Sequence, residues 1–413
     1  MNPFSKLTLP NGTILHNRLA KAAMEENMAD GNQAPSDDLI RLYKSWAEGG
    51  AGLIITGNVM IDRRAMTGPG GVVLESEQFA SRFKDWAKTA RSHGAQIWMQ
   101  INHPGRQMPA ALGQETMAPS AIAMDLGNLS NQFSTPREMS DNDIADVKRR
   151  FVRTAQLAKK FGFNGVEIHA AHGYLISQFL SPLTNKRVDR WGGSLENRAR
   201  LLIDIVKDIR HAVGKDFAVA IKINSADFQR GGFSTNDAKE VVAMLNSLSV
   251  DMIELSGGSY EAPAMTGQAR DGKTLAREAY FLEFAKDIAT VADMPIMVTG
   301  GIRRYQIVEE VLNSGIDMLG MGTALALNPK LPEVWRSDQT ATAVLRTFKW
   351  KNKVMASAAY MAMVKYQLRR LSKGKQTKPN LAPALALLFQ QLETNVKNRQ
   401  YRRRMNNSPI LAR

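Results

Sequence analysis

Short apolar runs rich in β-branched residues recur along the chain and alternate with longer segments whose apolar positions repeat every three or four residues. The short runs predict strands at 18–22, 52–57, 96–101, 165–169, 217–223, 252–255, 296–299 and 318–321. The longer segments, such as 144–161 and 198–213, predict amphipathic helices between them. Eight strands alternating with helices predict an α/β fold, a closed (β/α)₈ TIM barrel. A doubly wound sheet is the competing arrangement. No G-x-G-x-x-G follows any of the strands, however, which removes its best nucleotide-binding support.

Three segments fall outside the alternation. Leu9-Pro10-Asn11-Gly12-Thr13 carries an Asn-Gly turn between apolar residues, predicting an N-terminal hairpin that closes the bottom of the barrel. Residues 102–140 are rich in Pro, Gly, Met and Ser and too irregular for a helix; they predict a capping excursion after strand three. Residues 348–371 and 383–396 read as two helices in a basic C-terminal extension. The resulting division is 1–335 for the barrel and 336–413 for the extension.

Charge sharpens that division. The chain of 413 residues carries a formal net charge of +15. Sixteen Lys and Arg against one acid, Glu393, fall between Arg346 and the end, leaving 38 basic and 38 acidic residues in the body. The body is neutral and the whole excess sits in the extension. Three readings of it follow: helices docked on the barrel or a second subunit (a homo-oligomer), which the interleaved Met and aromatic residues favour, contact with an anionic membrane surface, or contact with nucleic acid. Cysteine is absent, which excludes disulfides, cysteine-held iron–sulfur clusters and thiol nucleophiles. No apolar run approaches the roughly 18 residues of a membrane span, and residues 1–10 lack the apolar core of a leader, so the expected location is cytoplasmic.

Candidate chemistry is sought where barrel strands end at the C-terminal face. The third strand ends in Gln100, Asn102 and His103, the fourth in His169, His172 and Tyr174, and the fifth carries Lys222 and Asn224. The seventh runs into Thr299-Gly300-Gly301 and the eighth into Gly322-Thr323, glycine turns at the ordinals where such barrels cradle phosphate. The plain alternative is that Gly300 and Gly301 only turn the chain. The histidine pair admits three readings: structural imidazoles, metal ligands without the helical H-E-x-x-H spacing, or hydrogen-bond donors to an oxygen anion with Tyr174 as proton donor. A glycine cradle alone would equally suit a non-redox lyase or isomerase of a sugar phosphate.

The stretch from His169 to Arg200, "HAAHGYLISQFLSPLTNKRVDRWGGSLENRAR", resembles the signature of the Old Yellow Enzyme family of flavin-dependent ene-reductases. The resemblance runs across residues 3–335 and includes "NRLA", "GLIITG", "QINHPGRQ", "APSAIA", "IKINSADF" and "TGGIR". It implies a barrel holding FMN, with NADH or NADPH as hydride donor, since the missing cysteines close the iron–sulfur route of longer relatives. It further implies that His169 and His172 grip the oxygen of an activated alkene, quinone or nitro acceptor. Tyr174 would then protonate the α-carbon. Gln100 and Lys222 are implied at the flavin pyrimidine, Ala22, Ala23, Met24, Glu25 and Gly57 along the flavin, and Thr299, Gly300, Gly301, Gly322 and Thr323 at its phosphate. Arg187, Asp189, Arg190, Glu196, Asn197 and Arg198 read as scaffold of the signature.

Two positions depart from the family pattern. Glu25 stands where many relatives carry Cys or Thr near flavin O4, although a one-residue shift would place Met24 or Glu26 there. Thr323 stands where relatives commonly carry an Arg on the phosphate, a role that Arg303, Arg304 or an extension residue would have to fill. A flavin carrier acting mainly through its basic extension is the remaining alternative function.

Overall fold

The computed structural model describes residues 1–264 and 278–407. Eight parallel strands close a barrel: β1 (Leu19–Lys21), β2 (Leu53–Ile55), β3 (Gln96–Asn102), β4 (Gly165–Ala170), β5 (Ala218–Asn224), β6 (Met252–Ser256), β7 (Ile296–Val298) and β8 (Met318–Met321). Closure is explicit in the register, where Gly320 of β8 faces Ala20 of β1. Helices α1 (Asp37–Ala47), α2 (Ala80–Ala90), α3 (Asp141–Lys160), α4 (Leu175–Leu180), α5 (Leu195–Val213), α6 (Thr235–Leu245), α7 (Leu282–Ala289) and α8 (Tyr305–Asn313) follow strands in the expected order. Short helices α9 (Thr323–Leu327) and α10 (Leu331–Val334) follow β8.

The two-residue period of the strands sorts their side chains. Ile97, Met99 and Ile101 of β3, and Val219, Ile221 and Ile223 of β5, face outward into the core shared with the helices. Trp98, Ala218, Ala220 and Met252 face inward, where Leu7, Leu9 and Leu15 of the N-terminal hairpin join them. That hairpin pairs Leu7–Thr8 with Ile14–Leu15 in antiparallel register and plugs the barrel floor. One step up each strand the inner residues become polar: Gln100, Glu167, Lys222 and Glu254 are all buried. A further step reaches Asn102, His169, Asn224 and Ser256, also buried. The barrel is thus oily at the bottom and polar at the top. Polar groups kept inside at a cost in desolvation mark the C-terminal mouth as the site.

The capping excursion lacks α-helix, as its composition predicted, and holds a parallel pair, Met117–Ala118 against Arg137–Glu138. Two short strands the pattern did not predict, Val59–Met60 and Val72–Val73, extend the sheet beside the end of β3. The extension forms α11 (Lys353–Ser372) and α12 (Pro383–Asn407). Helix α11 packs on α1, α9 and α12, burying Ala359, Met363 and Leu368. Among the described residues no helix is long and apolar enough to cross a membrane.

Candidate active site

His169, His172 and Tyr174 converge at the top of β4. The His169 ring lies 5.0 Å from that of His172 and 4.7 Å from that of Tyr174, both edge-on. The His169 Nδ1 accepts the Ala171 N–H at 3.2 Å, which assigns the proton to Nε2 and makes that atom a donor. His172 adopts a left-handed backbone, φ 61°, a conformation costing on the order of 1–3 kcal/mol for a residue with a Cβ. Hydrogen bonds hold it there: its N–H donates to Asn224 Oδ1 at 3.0 Å and its C=O accepts Gln107 Nε2 at 2.9 Å. Its Nε2 lies 2.7 Å from Ser256 Oγ. Strain maintained by three separate elements aims the imidazole.

The electrostatics keep all three groups neutral. Burial pushes His169 well below the ordinary imidazole value, and the charges of His172 and Lys222 add to the effect. Burial and then Lys222 do the same to His172. The Tyr174 phenol is pushed well up, first by burial and then by Tyr260 and the Glu25 charge. Its Oη lies 3.0 Å from Tyr260 Oη, in the loop after β6. Two neutral imidazoles and a protonated phenol in one pocket can donate hydrogen bonds to an oxygen and deliver a proton beside it.

Beneath them runs a polar ladder. Lys222 Nζ meets Glu254 Oε1 at 2.6 Å, and Gln100 Nε2 donates to Glu167 Oε2 at 2.6 Å. Burial and the adjacent Glu254 push the Glu167 carboxyl far up, outweighing Lys222. The protonated form of Glu167 is thereby favoured, with Lys222 facing Glu254 as its ion-pair partner. Glu167, Glu254 and Tyr260 were not among the residues the sequence suggested. The alternation Met252-Ile-Glu-Leu-Ser was the available signal for Glu254, since it puts Glu254 on the same inner face as Lys222's partners.

The other expected residues lie around the same mouth with varied partners. The Ala22 N–H donates to Met321 O at 3.0 Å, tying β1 to β8. Ala23 and Met24 are partly buried, and Met24 is the nearest side chain to Gly322. Gly57 donates its N–H to Tyr43 Oη and Glu26 Oε1 at 3.0 and 3.2 Å. A Cβ on Gly57 would come within 2.2 Å of Met24 O, so glycine is what lets the segment after β1 cross there. Glu26 is turned away from the mouth, bonded to Lys21 and Tyr43. Glu25 is the carboxylate whose charge reaches Tyr174 and Tyr260. Thr299 bonds Leu255 O, and Gly300 and Gly301 take φ of 121° and 70°. Arg303 and Arg304 both pair with Glu278, at 3.2 and 2.7 Å. The Thr323 hydroxyl accepts from Tyr360 Oη of α11 at 3.2 Å. The signature arginines bond to the scaffold: Arg187 donates to Pro119 O and Met139 O, and Arg198 to Leu180 O.

The model of the NADH:flavin oxidoreductase / NADH oxidase family matches residues 4–340. An NADH-dependent flavin oxidoreductase of Hypocrea jecorina is 37% identical over 79% of this chain and 87% of its own length. Another, from a Neonectria species, is 38% identical over 79% of this chain, which spans only 46% of that longer relative. Among solved structures, 2-naphthoyl-CoA reductase in complex with 2-naphthoyl-CoA superposes with a TM-score of 0.73 at 28% identity, covering 80% of this chain and 51% of that one. The Old Yellow Enzyme homologue of Zymomonas mobilis superposes with a TM-score of 0.71 at 23% identity, covering 86% of this chain and 99% of that one, a likeness of fold.

Proposed function

The chain belongs to the NADH:flavin oxidoreductase / NADH oxidase family, and on that premise we propose that it is an FMN-dependent ene-reductase driven by NADH or NADPH. The observation that carries this reading is the trio His169, His172 and Tyr174 set above Lys222, neutral donors over a buried cation. The mouth fits the cofactor. Asn102, buried on the same inner face as Gln100, has both amide atoms without a partner among the described residues, so donors and acceptors are left over for a polar ligand. Lys222 has three donors and one carboxylate partner. A Cβ on Gly322 would meet only the Met24 side chain, at 3.6 Å, leaving that turn open. Gln100, Lys222 and the segment Ala22–Glu25 with Gly57 would hold the ring system, and the turns at Thr299–Gly301 and Gly322–Thr323 the phosphate.

FMN, when bound, supplies the hydride chemistry between nicotinamide and acceptor. The chain's own residues handle the rest. Reduction of an activated alkene gathers negative charge on the conjugated oxygen, and the His169 Nε2–H and the His172 imidazole are donors fixed before that charge develops. The Tyr174 phenol, held protonated, delivers the proton to the α-carbon, and Tyr260 Oη steadies the oxygen it leaves behind. Quinones and nitro compounds present the same oxygens and fit the same donors. Self-association is supported by an apolar stripe on α12: Leu385, Leu388, Leu392 and Val396 are all exposed at helical spacing.

The test is purification of the full chain, identification of released flavin, and anaerobic NADH or NADPH oxidation with cyclohexenone. Bound FMN and formation of the saturated ketone are expected. A protein that takes up no FMN, or that reduces flavin without ever producing cyclohexanone, would overturn the reading.

A further inference from the structure

We infer that helix α11 completes the active site: Lys365 is a positioning residue that holds Glu25 as a neutralised ion pair on the segment that follows β1, and Tyr360 closes the phosphate end at Thr323. The inference rests on the proposed flavin site and extends it to the C-terminal extension.

Lys365 Nζ meets Glu25 Oε2 at 2.6 Å across 340 residues of sequence, with side-chain exposures of 9% and 18%. Glu25 is not a remote surface acid, because its charge acts on both phenols of the pocket, Tyr174 and Tyr260. Burial alone would raise its carboxyl; Lys365 is the largest of the influences that outweigh burial and leave it below the ordinary value. The carboxylate therefore stays charged, and its counter-ion comes from the extension. The grip continues along the chain. Arg369 donates to Glu26 O at 3.3 Å, and Lys397 of α12 donates to Asn27 O. Three basic side chains thus seize three successive residues of the segment that follows β1. Glu393, the one acid from Arg346 onward, bonds both Arg369 and Lys397 and locks the clamp together. Five residues earlier on the same helix, the Tyr360 hydroxyl reaches Thr323.

These contacts give part of the basic extension a task that solvated charge does not have. A carboxylate left unpaired here would be a partly buried charge whose field reaches Tyr174 and any anion the mouth binds, and both interactions are unfavourable. Lys365 offsets that charge while leaving the carboxylate ionised.

The experiment uses the full-length protein, stripped of flavin and titrated with FMN and with riboflavin, which lacks the phosphate. Lys365→Met is expected to weaken both flavins at least tenfold and to move the bound flavin's midpoint potential downward. Lys365→Arg should stay within threefold of wild type. Glu25→Gln combined with Lys365→Met should recover affinity and potential, because the uncompensated charge is gone. Tyr360→Phe should weaken FMN and leave riboflavin unchanged. Lys365→Met with wild-type flavin affinity and potential, whatever its melting temperature, would overturn the inference and leave the functional reading standing. A wild-type chain that binds no FMN would overturn both.

Discussion

His172 is the most informative single residue, because a strained backbone at a histidine has to be maintained by its surroundings and here is held by Asn224, Gln107 and Ser256. Its neighbour Tyr174 gives the sharpest kinetic expectation. Tyr174→Phe should slow reduction of weakly activated enones by about 10²-fold or more while sparing quinones, which need no proton on carbon. Equal losses with both acceptors, measured in the oxidative half-reaction, would make Tyr174 structural. His103 gives a pH expectation. Burial lowers its pKa to about 4, whereas the unfolded imidazole titrates near 6.5. Between those values the unfolded chain takes up a proton that the folded one refuses. Stability is thus full above about pH 6.5 and falls as pH drops towards 4, by on the order of 3 kcal/mol from this group. Urea unfolding at pH 7 and pH 4.5 should show His103→Gln losing less than wild type; identical losses would mean His103 titrates normally in the native state.

At the scale of elements, the strands and the mouth were legible because a two-residue period in a closed barrel leaves little choice of facing. The pattern located all eight strands, and it put Gln100, His169 and Lys222 on strands three, four and five, where the structure turns them inward. Its failures have physical causes. Val59–Met60 and Val72–Val73 are two-residue strands, too short to show a period. Glu167 sits two residues before His169 on β4 and shares its inner face, so the period carried that signal, whereas Tyr260 enters from the loop after β6, a contact that spacing does not encode. Helix starts were more local and can be tested locally. Ser140 Oγ accepts the Asp143 N–H at 3.2 Å while Asp143 accepts the Ser140 N–H at 2.8 Å, a reciprocal cap on α3. Ser140→Ala should cost about 1 kcal/mol by denaturant unfolding. No change would mean that Arg137, which also bonds Asp143, holds the helix start unaided.

Across the whole molecule, a neutral barrel is joined to a cationic extension, and the two are not independent. The sequence separated them by charge and, through Met and aromatic residues, favoured docking over a solvated arm. It offered no sign that the docking site is the catalytic mouth, because the pairing of Lys365 with Glu25 joins residues 340 apart. The apolar stripe of α12 remains outward-facing. In the proposed function the mouth grips an acceptor oxygen over a bound flavin. Anaerobic stopped-flow absorbance of the FMN-loaded protein tests it most directly, with NADH or NADPH bleaching the flavin and cyclohexenone restoring it. In the His169→Ala/His172→Ala double variant, bleaching should stay within about tenfold of wild type while restoration slows by 10²-fold or more, as expected when oxygen donors worth about 3 kcal/mol each are removed. Restoration at the wild-type rate in that variant would contradict it.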